Sequence, residues 1–295
     1  MLRCGQGEKM SKPRLRRYMK LLLSEPPLRL ATTTALKVAQ RFLPRSPKIF
    51  EWAADFDALS YTAYGVGLLV AAQYAEREGS PGFTAVEFGV AGGNGLLALS
   101  KYAELASRLT GLKIQVVGFD AGGGLPESED PRDAPWHWNA GDFPCNLTTL
   151  RQRLPIDADV IIGRIEDTLP SWLRNGTRLP IGFVSVDVDY YSSTKAICTA
   201  LRDAPTTSIL PLIECYFDDY LHAFVPRRVG EAAALSEFNS ISSQRFFDRD
   251  DWLSEGRPYA ERLWLRRMHT FYSLDHPSMQ SRKARGPERL DLVAS

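Results

Sequence analysis

Between Thr84 and Phe217, short continuous apolar runs alternate with stretches whose apolar positions recur at helical spacing. The runs Thr84–Val90, Lys113–Asp120, Ala158–Gly163, Ile181–Asp187 and Ile209–Phe217 predict strands, and helices are predicted near 95–108, 146–154, 167–174, 191–203 and 229–238. Strand alternating with helix is the signature of a mostly parallel sheet with crossover helices on both faces. Two further runs, Ser243–Phe247 and the partly alternating Glu261–Thr270, predict an antiparallel pair that completes the sheet. Upstream, Tyr61–Glu78 reads as a long apolar helix closed by the turn Gly79-Ser80-Pro81-Gly82. Leu28–Leu43 is a helix bounded by Pro44 and Pro47, and Arg14–Leu23 is a short basic helix stopped by Glu25-Pro26-Pro27. Ile49–Leu59, with Phe50, Trp52 and Phe56, is expected to pack on the main domain. The pattern divides the chain into a basic, helical and partly disordered extension (1–48), an α/β domain (49–275) and a loose polar tail (276–295).

Composition changes this picture little: 44% hydrophobic and 24% charged residues in a 295-residue chain are ordinary for a globular protein. No apolar run approaches the roughly 20 residues needed to cross a bilayer. The N-terminal region lacks the apolar core of a secretory signal. Cys4, Cys145, Cys198 and Cys215 are widely spaced and read as reduced thiols, which suits a cytoplasmic protein. The net charge of +1 conceals an asymmetry, because residues 1–48 hold twelve Lys/Arg against Glu8 and Glu25 while the remainder has 24 basic and 33 acidic residues. A basic leader on an acidic body is either a solvating extension or an arm that touches anionic lipid or polyphosphate. Nucleic acid is not an expected partner, whereas self-association stays open.

The candidate chemistry begins at Val86-Glu87-Phe88-Gly89-Val90-Ala91-Gly92-Gly93-Asn94-Gly95, a strand running through a glycine-rich turn into a helix. Such a turn removes the Cβ atoms that would hold a ligand away from the backbone, and the helix offers free N–H groups to an anionic ligand group. The glycines do not fall in the dinucleotide register G-x-G-x-x-G. They read instead as acid-x-Gly-x-Ala-x-Gly from Glu87 through Gly89 and Ala91 to Gly93, close to the donor loop of S-adenosylmethionine-dependent methyltransferases. An acid at that point suits a ligand carrying ammonium and sulfonium groups. Asp120, closing the second strand, is placed to accept both ribose hydroxyls of an adenosine.

Two later strands end in Asp187-Val188-Asp189-Tyr190-Tyr191 and in Tyr216-Phe217-Asp218-Asp219-Tyr220. Four carboxylates delivered to one sheet edge repel one another unless some are protonated or a cation is present. A hard divalent cation such as Mg²⁺ relieves this, lowers the pKa of a bound hydroxyl and leaves a carboxylate free to take its proton. The alternative is that Asp187 and Asp189 cap the helix from Tyr191 while Asp218-Asp219 forms a surface turn.

These segments resemble the macrocin-type O-methyltransferases, which are Mg²⁺-dependent enzymes that methylate sugar hydroxyls on natural products. The likeness rests on the Glu87–Gly93 loop, Phe119-Asp120-Ala121-Gly122-Gly123-Gly124-Leu125-Pro126, Gly163-Arg164-Ile165-Glu166-Asp167-Thr168-Leu169-Pro170, Asp187–Thr194 and Asp218-Asp219-Tyr220, in order across roughly residues 84–240. It departs from the family at Val188 and Tyr190, where glycine and leucine are usual. The resemblance implies a Rossmann-like class I methyltransferase sheet. It implies that Glu87, Gly89, Gly93 and Asp120 hold S-adenosylmethionine, with Arg164 and Ile165 near the adenine. It further implies that Asp187, Asp218 and Asp219 bind the metal and that Asp189 is the general base, with Asp187 also catalytic through that metal.

On the acceptor side, residues 127–145 form a long insertion of the kind that makes lids or binding loops. Its Trp136 and Trp138 are suited equally to stacking on a sugar or aromatic acceptor and to packing the loop down. His137 and His222 are secondary candidates for a base, and Lys195 reads as a solvated lysine. The expected activity is methyl transfer to a hydroxyl of a sugar or other diol-bearing small molecule. A nicotinamide-dependent oxidoreductase and a non-catalytic binding protein with a vestigial donor site stand as alternatives.

Overall fold

The computed structural model describes residues 19, 22–155, 157–175 and 179–281. The expectations for residues 1–11, for most of the basic helix over 14–23, for Cys4 and for the tail beyond 281 lie outside the described residues. Helices α1 (Leu28–Phe42), α2 (Pro47–Asp55) and α3 (Thr62–Glu78) precede the sheet. Then follow β1 (Gly82–Phe88), α4 (Asn94–Thr110), β2 (Lys113–Asp120), α5 (Leu147–Arg153), β3 (Ala158–Ile162), α6 (Ile165–Asn175), β4 (Ile181–Val186), α7 (Tyr191–Asp203), β5 (Ile209–Phe217) and α8 (Gly230–Ile241). The described residues end with β6 (Arg245–Arg249), β7 (Met268–Ser273) and the short α9 (Pro277–Ser281).

The strands form one seven-stranded sheet in the order β3-β2-β1-β4-β5-β7-β6. The first five are parallel and β7 runs antiparallel between β5 and β6, as the Rossmann-like expectation required. The central strands are buried on both faces, so they read as continuous apolar runs rather than alternating ones. One core layer packs α2, α3 and α4 on the sheet through Phe50, Leu68, Phe83, Leu99 and Phe183; the other packs α6, α7 and α8 through Val86, Leu169, Val184, Leu201 and Phe238. Helix α1 belongs with the first layer. Its Thr33 hydroxyl donates to the Phe56 carbonyl at 3.0 Å and its Gln40 amide donates to the Ala58 carbonyl at 3.1 Å. Among the described residues no helix is long and apolar enough to cross a membrane.

One strand falls elsewhere than expected. Glu261–Arg267 is not a strand: Leu263–Arg267 is a 3₁₀ turn, and the strand runs from Met268 to Ser273. Arg262 pairs with Asp57 at 2.5 Å and the Trp264 indole donates to the same carboxylate at 3.0 Å, so this segment is tied to the end of α2 rather than to the sheet. The real strand is buried along most of its length and shows no alternation to betray it.

In this order the chain leaves β1 towards β2 and β3 and later returns to β4 on the other side. The crevice beyond the carboxyl ends of β1 and β4 is the topological switch point where ligands of open α/β sheets sit. The loops meet there, with Asp187 N–H donating to Phe88 O and Asp218 N–H to Val186 O, each at 2.9 Å.

Candidate active site

A cavity of about 520 Å³ opens at this switch point. Glu87, Gly89, Gly93, Asp120, Arg164, Ile165, Asp187, Asp189, Asp218 and Asp219, all singled out from the sequence, line it. They divide into a glycine cradle and an acidic cluster.

The cradle is shaped by backbone constraint. Gly89 has φ +83° and a Cβ there would sit 1.8 Å from the Asp187 carbonyl oxygen, so both the left-handed conformation and the close approach of β1 to β4 require glycine. Gly93, at φ +79°, caps α4, and a Cβ there would meet Leu150 at 2.4 Å. Gly92 has open space around it, and the first turn of α4 carries no acidic side chain to occupy its free N–H groups. Asp120 braces the loop from beneath. One of its oxygens accepts the N–H groups of Val90 and Ala91, each at 2.9 Å, and the other accepts Gly122 N–H at 2.6 Å. Its carboxylate therefore organises the glycine loop, leaving only its remaining lone pairs towards the cavity. Arg164 is exposed and paired with Glu166, while Ile165 is buried against the cavity wall.

Glu87 sits beneath this loop, 1% exposed, with Oε1 accepting the Tyr64 hydroxyl at 2.7 Å. Its Oε2 is buried without a partner. Burial pushes this carboxyl well above the usual glutamate range; the Tyr64 hydrogen bond opposes the shift, and Asp187 and Asp120 add to it. An unpaired buried carboxylate oxygen is costly unless a cation meets it. Tyr64 carries no sign of this role in the sequence because α3 is apolar on every side from Ala63 to Ala72, and only the fold brings its hydroxyl under β1.

Asp187, Asp218 and Asp219 place carboxylate oxygens within 4.8 Å of one another. Asp187 opens into the cavity, and its pKa is pushed up to about 7 by burial within the protein walls and by Asp218 and Asp219, with Arg267 opposing. Asp189 is buried at φ +59°, a strained conformation for a residue with a side chain. Burial first, and then Asp219, pushes its pKa well up, to about 9. Asp219 is raised as well, by burial, with the hydrogen bond from Asp189 opposing. Oxygen ligands brought close enough to repel one another fit Mg²⁺.

Neither Asp187 nor Asp189 caps α7. The cap comes from the insertion, where Asp133 accepts Ser192 N–H at 2.7 Å and Ser192 Oγ–H at 2.8 Å. Next to it Arg132 lies 3.8 Å over the Tyr191 ring and donates to the Tyr191 hydroxyl at 2.7 Å. Lys195 is paired with Glu237 at 2.8 Å rather than simply solvated. The insertion is thus fastened to α7. Trp138 lines the cavity and packs with His137, His222 and Phe143, whereas Trp136 is 59% exposed and donates its indole N–H to Phe224 O at 3.2 Å. The two histidine rings lie 4.8 Å apart within this roof.

Two further residues of the cluster escape sequence reading. Arg267 donates to Asp218 at 3.0 Å and to Leu221 O at 2.9 Å, placing a cation among the acids. Glu231, fully buried in the first turn of α8, accepts Asp219 N–H at 2.9 Å. Its position in the helix gives no sign of this, because the loop carrying Asp219 reaches it only in the folded chain.

No known family profile matches this chain, and no curated protein does either. Among solved structures, the calicheamicin methyltransferase CalS11 is 16% identical with a TM-score of 0.46, the match covering 80% of this chain and 90% of that one. The O-methyltransferase NovP is 16% identical at a TM-score of 0.48, covering 73% and 83%. An O-methyltransferase from Bacillus cereus in complex with SAH is 16% identical at 0.37, covering 80% and 89%. At such identities and scores the functional argument rests on the residues of this chain.

Proposed function

We propose that this protein is an S-adenosylmethionine-dependent O-methyltransferase, assisted by Mg²⁺, acting on a hydroxyl of a sugar or other diol-bearing small molecule. The observation that carries the reading is Glu87, a buried carboxylate with an unpartnered oxygen beneath a glycine cradle, in the same cavity as the aspartate cluster. When bound, the donor would supply an electrophilic methyl group and the metal would supply polarisation of the acceptor hydroxyl.

The residues of the chain do the rest. Glu87 opposes the ammonium of the donor, and the open N–H groups of the α4 N-terminus receive its carboxylate. Asp120 keeps the loop in register, and Ile165 and Arg164 border the adenine end. Asp187, Asp218 and Asp219 would hold the metal. Asp189 takes the proton of the acceptor, and its ionised form requires further positive charge beside the cluster, which a bound Mg²⁺ would supply. The roof built from Trp138, His137 and His222 covers the acceptor side and excludes water. Positioning of the two reactants contributes most of the acceleration.

Calorimetric titration with S-adenosylhomocysteine, with and without Mg²⁺, tests the reading. Micromolar binding is expected, and absence of heat under both conditions would sink it. In Asp187→Ala, donor binding should persist while turnover with a hydroxyl acceptor is abolished; loss of donor binding too would refute the division of roles.

A further inference from the structure

Helix α1 is turned inside out relative to an ordinary surface helix. Towards the protein it presents Thr33 and Gln40, hydrogen-bonded to the Phe56 and Ala58 carbonyls, and Arg29, which donates to Pro258 O at 2.6 Å and lies over the Tyr259 ring; Leu36 is its chief apolar contact. Towards solvent it presents Leu30 at 68% exposure, Val38 at 49% and Phe42 at 79%, spaced along one side. Lys37 and Arg41 are exposed on the same outward arc. From Pro26 to Phe50 the chain contains no acid and five cations, Arg29, Lys37, Arg41, Arg45 and Lys48, and further cations precede them.

We infer that α1 docks on an anionic phospholipid surface, with Leu30, Val38 and Phe42 entering the acyl boundary and the flanking cations meeting the head groups. The charge argues for lipid over a second copy of this chain. The body carries 33 acids against 24 cations and would orient away from the bilayer, while two cationic α1 faces brought together would repel. Apolar stripe plus basic flank is also the combination that stable peripheral attachment needs, because neither alone binds tightly. Each cation near such a surface raises partitioning by about fivefold at low salt.

Co-sedimentation of the full chain with vesicles of phosphatidylcholine alone, or mixed with phosphatidylserine, tests this. Binding is expected only to the mixed vesicles and should weaken with salt. The double variant Val38→Glu with Phe42→Glu should lose about tenfold or more in partitioning, with its melting curve unchanged because both side chains are exposed. Binding that persists undiminished in this variant would overturn the role of α1 and assign it to the preceding basic residues. Equal binding to both vesicle types, or binding to neither, would also overturn it. So would a dimer in sedimentation velocity that the double variant dissociates, without vesicle binding by the parent.

Discussion

Replacing Glu87 with Gln separates ligand recognition from fold stability, because the two should move in opposite directions. The isostere keeps an acceptor for the Tyr64 hydroxyl but removes the negative charge. If Glu87 meets an ammonium, the loss is that of a charge-assisted hydrogen bond, about 1.5–3 kcal/mol. At about 1.4 kcal/mol per tenfold, S-adenosylhomocysteine should bind roughly ten- to a hundredfold more weakly by calorimetry. Stability should respond differently. Burial raises the folded-state pKa of Glu87 above its unfolded value, so the unfolded chain gives up the proton first and stability drains away as pH rises through the glutamate range and beyond. Gln has no such dependence. The difference in melting temperature between variant and parent, taken as variant minus parent, should therefore grow in favour of the variant from about pH 5 to about pH 8. Unchanged ligand affinity would refute the ammonium assignment, and a difference that shrinks with pH would refute the burial argument.

Gly89→Ala should cost more than about 3 kcal/mol and abolish donor binding, since a Cβ 1.8 Å from a backbone oxygen has no rotamer to escape into; a normal melting curve would contradict the fit. Asp133→Ala removes the cap that the insertion gives α7, and thermal unfolding should report a loss of about 1–2 kcal/mol; no change would mean the insertion is held elsewhere. A second buried acid pair, Glu214 and Asp250, is bridged by Thr270, which donates to Asp250 at 2.8 Å, and burial raises both carboxyls. Stability is thus lost as pH rises past the ordinary carboxylate range. Glu214→Gln should flatten that slope, and an unaltered pH profile of melting would refute it. Glu231→Ala should weaken Mg²⁺ binding about tenfold in the presence of S-adenosylhomocysteine, with recovery in Glu231→Gln, which keeps an acceptor for Asp219 N–H; equal loss in both would place the effect in charge rather than position.

The fold was legible because the strands of a parallel sheet are buried on both faces and stand out as unbroken apolar runs, and because glycine and aspartate accumulate where those strands end. Local chemistry likewise made Glu87, Gly89, Asp187 and Asp218-Asp219 readable, since each sits at a strand terminus whose position follows from the pattern. The seventh strand was misplaced because Met268–Ser273 lacks alternation, while the polar Glu261–Arg267 beside it shows some. What the chain alone could not disclose are pairings between residues far apart in it: Tyr64 with Glu87, Asp133 with Ser192, Glu231 with Asp219, and Arg267 with Asp218. Each is a single polar side chain in an otherwise ordinary helix, loop or turn, and its meaning arises only when the sheet order closes the intervening loop. For the same reason the outward stripe of α1 was hidden, since apolar residues at helical spacing predict a helix but not which of its faces the rest of the protein covers.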